Sequence, residues 1–135
     1  MNSLFLNFDD GTDTNIVFMK LKELFPSAEK IKDVTILKEF TGLDYKDDEM
    51  DIKFEFTFPH TVNMIYHGDE YIYIDDKELS IYAGGYTERE AIDEYTLFLD
   101  LLWQRYVAQD LSDRKMTQGL KENIKTIKEK VRKLW

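Results

Sequence analysis

The stretch from residue 71 to residue 106 constrains the fold of this chain more than any other part. Residues 71–74 and 79–82 are two short runs of alternating character, and the polar residues between them favour a turn. Gly84 and Gly85 then break the alternating pattern. The stretch therefore predicts two antiparallel strands joined by a turn and followed by a change of secondary structure.

A long helix is predicted directly after the two glycines. Thr87 and Glu90 have the T-x-x-E spacing of a capping box, in which a hydroxyl and a carboxylate satisfy N–H groups at the start of a helix. From Ala91 onward, apolar residues recur at helical spacing. One row contains Ile92, Tyr95, Leu99, Leu102 and Tyr106, and Phe98 and Leu101 widen it. We expect this helix to pack across one face of the sheet.

Further strands are predicted before residue 71. Residues 52–58 alternate without exception between apolar and polar, which is typical of a strand with one wet face. Pro59 restricts this run to a strand end or an edge. Residues 62–66 alternate next, and residues 67–70 favour a hairpin turn. The chain from Ile52 to Tyr82 thus predicts an antiparallel meander of three or four strands.

The N-terminal part of the chain has weaker patterns. Residues 4–8 are compatible with a short strand, residues 16–25 with a helix that Pro26 ends, and residues 34–37 with another strand. Residues 41–51 are predicted to form a polar loop, and such acidic runs are usually solvated and mobile. Its acids are Asp44, Asp47, Asp48, Glu49 and Asp51.

A second amphipathic helix is predicted over about residues 112–135, capped by Ser112 or Thr117. Its apolar row contains Met116, Leu120, Ile124, Ile127, Val131 and Leu134. Beside it lies a basic row of Lys121, Lys125, Lys128 and Arg132. Two interpretations stay open: a solvated face on a helix held against an acidic body, or a helix that binds a partner or forms a dimer. The apolar Trp135 favours the second interpretation, in which another chain covers this side chain.

Together these patterns predict a single α+β domain over residues 1–135. Its core is an antiparallel β-meander packed by a long helix, about residues 52–108, with an N-terminal helix and a C-terminal amphipathic helix. A chain of 135 residues, 43% of them hydrophobic, suffices for one core and is short for two.

Charge is distributed unevenly along the chain. The formal net charge is −9, which disfavours nonspecific attraction to nucleic acid or anionic lipid and favours a basic partner. Residues 1–113 carry 10 Lys and Arg against 25 Asp and Glu, whereas residues 114–135 carry 8 against 2. Any contact with nucleic acid is therefore expected only through the basic row of the last helix.

The sequence offers few means of catalysis. It contains no cysteine, which excludes disulfides and thiolate chemistry. It also has no G-x-S-x-G motif and no phosphate-binding loop, and the serines have no recognisable histidine partner. We therefore expect a non-catalytic protein without a cofactor or metal. Because no signal peptide or long apolar segment is present, we expect it in the cytoplasm and not in a membrane.

Three patterns in the sequence have residue types that metal sites use. His60 and His67 are predicted at opposite ends of one strand, roughly 20 Å apart at 3.3 Å per residue, which is too far to share a metal. Residues 9–15 are rich in oxygen donors but lack the EF-hand order. Asp51, Lys53 and Glu55 contain a D-x-K fragment that is found in metal-dependent nucleases, and the acidic loop could supply the further carboxylate. A metal-dependent nuclease or hydrolase is therefore an alternative function.

Residues 62–106 resemble the core of the HicB-like antitoxin superfamily, in which a small antiparallel sheet is followed by a glycine, a threonine-initiated capping box and a helix. The matching residues are Gly85, Thr87, Glu90 and Ala91, preceded by a strand over residues 79–83. The resemblance covers about a third of the chain. It implies a non-catalytic protein that covers a basic RNA-cleaving toxin, and an acidic body suits such a partner.

The functional hypothesis is an acidic protein-binding module, antitoxin-like or defence-modulating, that engages a basic protein partner. The candidate partner-binding residues are Asp44, Asp47, Asp48, Glu49 and Asp51 of the acidic loop and Lys121, Lys125, Lys128 and Arg132 of the basic row. A second alternative to this hypothesis, beside the nuclease, is a homodimeric structural protein joined through the C-terminal helix.

Overall fold

The computed structural model describes residues 3–7, 33–68, 70–109 and 115–135. The strands among them form one sheet in the order β1-β2-β3-β4-β5, with β6 paired to β3. They are β1 (Ser3–Asn7), β2 (Asp33–Lys46), β3 (Asp51–His67), β4 (Tyr71–Asp76), β5 (Ile81–Gly85) and β6 (Val131–Lys133). Among these described strands, only β1 and β2 pair in parallel. The mixed α+β class and the meander from β3 to β5 are confirmed.

The central strand β3 is longer than predicted, because residues 52–58 and 62–66 belong to one strand. Its register with β2 shifts between the pairs Phe40–His60 and Gly42–Glu55, so that one residue of β2 lies opposite residues 56–59. Pro59 lies in this bulge, where the missing N–H breaks no ladder bond. The prediction that Pro59 marks a strand end or edge is therefore wrong. Phe58 protrudes from the bulge and is 78% exposed.

The predicted polar loop over residues 41–51 is also wrong. Residues 41–46 belong to β2 and pair with β3 down to the match between Lys46 and Asp51. Leu43 is buried on the core face and keeps the strand in register. Only residues 47–50 remain as the turn of a long hairpin. The acidic composition of this segment favours the prediction of a loop, although the side chains that it turns toward the core are apolar.

One sheet face carries the core. The helix α1 (Glu88–Leu102) crosses this face and buries Ala91, Tyr95 and Leu99 against it. Thr87 caps the helix as predicted, with its Oγ1 accepting the Glu90 N–H at 3.1 Å. A π-helical turn, Trp103–Val107, follows. Phe98 and Leu101 are exposed, so the prediction that they widen the buried row is wrong.

The C-terminal helix is shorter than the predicted range of residues 112–135. The helix α2 (Gln118–Lys130) begins at the Thr117 cap, and the chain then forms β6 beside residues 54–56 of β3. Ile124, Ile127 and Val131 are buried in the core. Lys133 Nζ lies 2.6 Å from the buried carboxylate of Asp100 on α1. The apolar periodicity continues through a change from helix to strand.

The strand predicted over residues 4–8 corresponds to β1, whereas the helix predicted over residues 16–25 lies outside the described residues. Within the described part of the chain, no helix has the length and apolar character needed to span a bilayer.

Candidate protein-binding surfaces

The turn of the β2–β3 hairpin is held by the side chain of Asp47. Its Oδ1 accepts the backbone N–H groups of Glu49 at 2.8 Å and Met50 at 2.7 Å. Its Oδ2 accepts the hydroxyl of Tyr45 at 2.8 Å, and the Asp47 N–H donates to the Met50 carbonyl at 2.9 Å. An aspartate that bonds the backbone after it is a standard means of fixing a turn. The turn is therefore a defined structure and not a free loop.

This hairpin end presents its charges to solvent. The Tyr45 hydroxyl, followed by the backbone N–H groups of Glu49 and Met50, holds the pKa of Asp47 below its ordinary value. Asp47 therefore stays ionised at neutral pH. The other four predicted acids, Asp44, Asp48, Glu49 and Asp51, are exposed on or beside the same turn. We call these five residues the acidic tip. The structure thus brings the predicted acidic residues together at one end of the hairpin.

The predicted basic row is divided between two elements. Lys121, Lys125 and Lys128 are exposed on α2. Arg132 lies on β6, where its Nη2 is 3.2 Å from Oε2 of Glu55 on β3. Among the described residues, no ion pair joins the three lysines to another side chain. The acidic tip and the lysines are therefore separate surfaces on different elements.

The dimer alternative involves the apolar side of the same helix. Ile124, Ile127 and Val131 are buried within the chain, so they are not available to a second copy. Leu134 and Trp135 remain exposed. The Trp135 backbone bonds Lys53, and Lys53 Nζ lies 4.8 Å from the Trp135 ring centroid. A homodimer through this helix stays a prediction that would depend on the residues after β6.

The residues of the nuclease alternative lie on the sheet face away from α1. Lys53 contacts Trp135, and Glu55 is paired with Arg132, so both side chains have structural partners. His67, at the end of β3, hydrogen-bonds Asp33 at 2.7 Å. In the described part of the chain, no three His, Cys, Asp or Glu side chains converge as a metal site would require. No observation favours this alternative.

The structure also contains a buried polar network that the sequence patterns do not predict. His60 Nε2 donates to Oδ2 of Asp76 at 2.7 Å, and the Tyr95 hydroxyl donates to the same oxygen at 2.5 Å. The other oxygen of Asp76 accepts the Leu79 N–H at 3.1 Å. These hydrogen bonds join β3, the end of β4, the following turn and α1. The sequence predicts a turn over residues 75–78, and only the period-two continuation from Ile72 and Ile74 indicates that the side chain of Asp76 points inward.

Burial and hydrogen bonds shift the pKa values of Asp76 and Tyr95 in this network. Burial by itself raises the pKa of Asp76, but hydrogen bonds from His60 and Tyr95, the charge of His60 and the Leu79 N–H together hold that pKa below the ordinary value. Burial, with the neighbouring Asp76 carboxylate, raises the pKa of the Tyr95 hydroxyl, which stays protonated. The three side chains are at most 2% exposed. A substrate could not reach them, so the network is structural.

Two further surface features adjoin β5. Tyrosines from β4, β5 and the β5–α1 connection stack in a row on the sheet face away from α1. On the other side of β5, a shallow apolar groove of about 230 Å³ lies against α1. Its lining residues are Ser80, Ile81, Tyr82, Phe98, Leu101 and Leu102. Tyr82 belongs to both features.

Comparison with known proteins gives no relative: no protein-family model, no curated protein and no solved structure matches this chain significantly.

Proposed function

We propose that this protein is a non-catalytic binding module whose acidic tip engages a basic protein partner. The observation that supports this most is the acidic tip, where Asp47 fixes the turn by hydrogen bonds and four more carboxylates are exposed around it. A fixed turn lowers the conformational entropy that is lost when a partner binds. The half-exposed Met50 adds an adaptable apolar contact at the same place.

The charge of the whole chain supports the same partner class. The net charge of −9 attracts a basic protein over a distance, and the five carboxylates of the acidic tip place negative charge close together at the hairpin end. Complementary charge of this kind mainly raises the association rate and selects the partner. Salt should therefore weaken the complex, because exposed charge pairs are screened.

The test compares two variants that each lose three carboxylates. The tip variant combines Asp44→Asn, Asp48→Asn and Glu49→Gln, and leaves Asp47 to hold the turn. The control combines Glu39→Gln, Glu122→Gln and Glu129→Gln at exposed positions elsewhere. Wild-type and variant proteins are used to capture partners from a native lysate, and each partner is then purified and titrated by calorimetry at several salt concentrations.

We expect a basic partner whose affinity falls roughly tenfold in the tip variant, since each exposed charge pair contributes up to about 1 kcal/mol. The control should retain the wild-type affinity. Equal losses in both variants would show a general charge effect, and recovery of only acidic partners would contradict the proposal.

The finer form of the proposal is an antitoxin-like or defence-modulating role, in which the partner is a basic RNA-cleaving toxin. It rests on the sequence resemblance around the junction between β5 and α1. There, a Cβ on Gly85 would lie 2.6 Å from Glu90 Cβ, so the glycine is needed for the close approach of the helix. RNA cleavage by the captured partner, inhibited by this chain, is the observation that would support this role. A partner without nuclease activity would remove it and leave the binding module in place.

A further inference from the structure

Four tyrosines form a continuous aromatic row at the β5 end of the sheet. The rings of Tyr71 and Tyr73 are 4.7 Å apart between centroids, and Tyr73 stacks on Tyr82 at 5.5 Å. Tyr86 meets Tyr71 edge-on at 5.1 Å. Tyr82 is 59% exposed and Tyr86 is 74% exposed, whereas the two rings between them are half-buried. We call these four residues the tyrosine row.

The position of Tyr71 in the row depends on the neighbouring backbone of β5. Tyr71 lies against Gly84, where a Cβ would come within 2.7 Å of its ring. A side chain at residue 84 would displace that ring, so the glycine allows the rings to stack across β4 and β5. Tyrosine has few rotatable bonds, and fixed tyrosines form strong anchors in interfaces at low entropic cost.

Carboxylates border the row on two sides. Glu94 Oε2 accepts the Gly84 N–H at 3.1 Å, and Glu90 Oε2 accepts the Tyr86 N–H at 2.8 Å. Asp75 lies on the same sheet face, directly opposite Tyr82 in the β4–β5 register. Burial and the charge of Glu94 raise the pKa of Tyr71, while burial, Tyr73 and Asp75 raise that of Tyr82. The rings are therefore neutral, and acidic side chains lie close to them.

The same carboxylates affect how a partner could dock. β5 is the last strand of the sheet path, and an open edge strand invites the addition of another strand. The N–H groups of Gly84 and Tyr86 point away from β4, but Glu94 and Glu90 already accept them. The edge is thus partly closed to a strand from another chain. A partner would therefore bind mainly through side chains that contact the tyrosine row.

We propose that the tyrosine row binds arginine side chains of a basic polypeptide segment, as a second contact surface separate from the acidic tip. For the class of partner, this inference rests on the proposed function. A guanidinium group stacks on an aromatic face and can at the same time hydrogen-bond a neighbouring carboxylate in its own plane. The tyrosine faces would supply the first contact, and Asp75, Glu90 and Glu94, which lie beside the row, would supply the second. Nucleic acid, which also stacks on tyrosines, is disfavoured because its phosphates would meet these carboxylates.

The test uses a short labelled peptide in which arginine alternates with glycine or serine. Two matched peptides replace every arginine by lysine or by the uncharged isostere citrulline. Binding is measured by fluorescence anisotropy and by backbone amide chemical shifts, in the tip variant described above, so that the acidic tip contributes little. We expect the arginine peptide to bind more tightly than the lysine peptide, and the citrulline peptide to bind weakest. The largest shifts should occur at the amides of Gly84 and Tyr86.

Variants of the exposed rings locate the effect. Replacing Tyr82→Ser and Tyr86→Ser together should weaken the binding of the arginine peptide about fivefold or more, because two cation–π contacts are lost. Phe58→Ser is the matched control, since it removes an exposed aromatic ring outside the row. It should leave the affinity unchanged. Circular dichroism of each variant checks that the fold is intact.

Three results would overturn the inference. One is an affinity for the arginine peptide that the tyrosine double variant does not alter. Another is equal binding of the arginine and lysine peptides, and the third is tighter binding of single-stranded poly(U) RNA than of the arginine peptide. If the peptide binds the wild type but not the tip variant, and the tyrosines have no effect, the tip alone binds it. The proposed function would then stand while the second surface fails.

Discussion

Asp47 and Asp76 are two aspartates with lowered pKa values in opposite environments. Asp47 is exposed at the hairpin turn, and its carboxylate accepts two backbone N–H groups and the hydroxyl of Tyr45. Asp76 is buried and accepts His60, the hydroxyl of Tyr95 and the Leu79 N–H. Both carboxylates thus have three hydrogen-bond donors of similar kinds. Only Asp76 is removed from water. Its hydrogen bonds therefore stabilise the fold as a whole, whereas those of Asp47 fix the shape of the turn.

The two aspartates differ in what can replace their hydrogen bonds when the carboxylate is removed. At the tip, water can solvate the freed N–H groups, and the rest of the hairpin is held by the β2–β3 ladder. Around Asp76, water cannot enter without opening the contact between the sheet and α1. An unpaired polar group in such a place has the full cost of desolvation. We therefore expect the two aspartates to separate clearly in unfolding experiments.

The largest effect should come from Asp76→Ala. It leaves His60 and the Tyr95 hydroxyl buried without their acceptor, which should lower the free energy of unfolding by about 3–5 kcal/mol. Urea unfolding followed by circular dichroism measures this. Asp75→Ala on the opposite sheet face is the control and should cost much less. If Asp76→Ala fails to fold, Tyr95→Phe, which leaves the carboxylate in place, should still lose about 1–3 kcal/mol. A change near zero in Tyr95→Phe would contradict the structural role of the network.

A smaller effect should appear on acidification. The pKa of Asp76 in the folded protein lies below its ordinary value of 3.8, so the folded state binds this proton less readily than the unfolded state. The stabilisation is therefore complete above about pH 4 and is lost as the pH falls through the folded pKa, by about 1.4 kcal/mol per unit of depression. In urea unfolding between pH 5 and pH 3, the gap in unfolding free energy between wild type and Asp76→Asn should narrow toward low pH. A constant gap would contradict this.

The smallest change in global stability is expected for Asp47→Ala. The hairpin ladder remains, but the amides of Glu49 and Met50 lose their acceptor. Hydrogen exchange at these two amides should accelerate markedly, while exchange in β3 near Met64 stays as slow as in the wild type. Asp48→Ala removes the same charge without removing a turn bond and should leave these amides protected. Equal acceleration in both variants would show that charge, and not the hydrogen bonds of Asp47, fixes the tip.

The comparison also shows where sequence patterns suffice. The meander, the Thr87 and Thr117 caps and the buried row through Tyr95 and Leu99 follow from local periodicity and capping chemistry, and the structure contains them. The sequence alone could not show that the five predicted acids lie together. This requires knowing that β2 extends to Lys46. Five carboxylates near one turn resemble a solvated loop, because composition does not reveal whether a strand partner is present.

The missed features depend on contacts between distant parts of the chain. Val131 and Leu134 continue the apolar spacing of α2, so periodicity alone extends the helix, whereas pairing with β3 converts residues 131–133 to a strand. The bulge around Pro59 and the inward side chain of Asp76 likewise depend on partners in β2 and α1. Phe98 and Leu101 continue the apolar spacing of α1 and are nevertheless exposed, because burial depends on which elements lie beside the helix. No local window contains that information.

The pairing of β6 with β3 has a consequence for how the chain acquires its structure. Glu55 and Arg132, which face each other in this pair, are 77 positions apart. During synthesis, the edge of β3 at residues 54–56 stays open until residues 131–133 have emerged, long after the meander and α1 can form. Contacts of such high sequence separation slow folding, and an uncovered strand edge favours aggregation. A nascent chain of this protein therefore passes through a period in which its central strand is exposed, when a chaperone or an early partner would have most to protect.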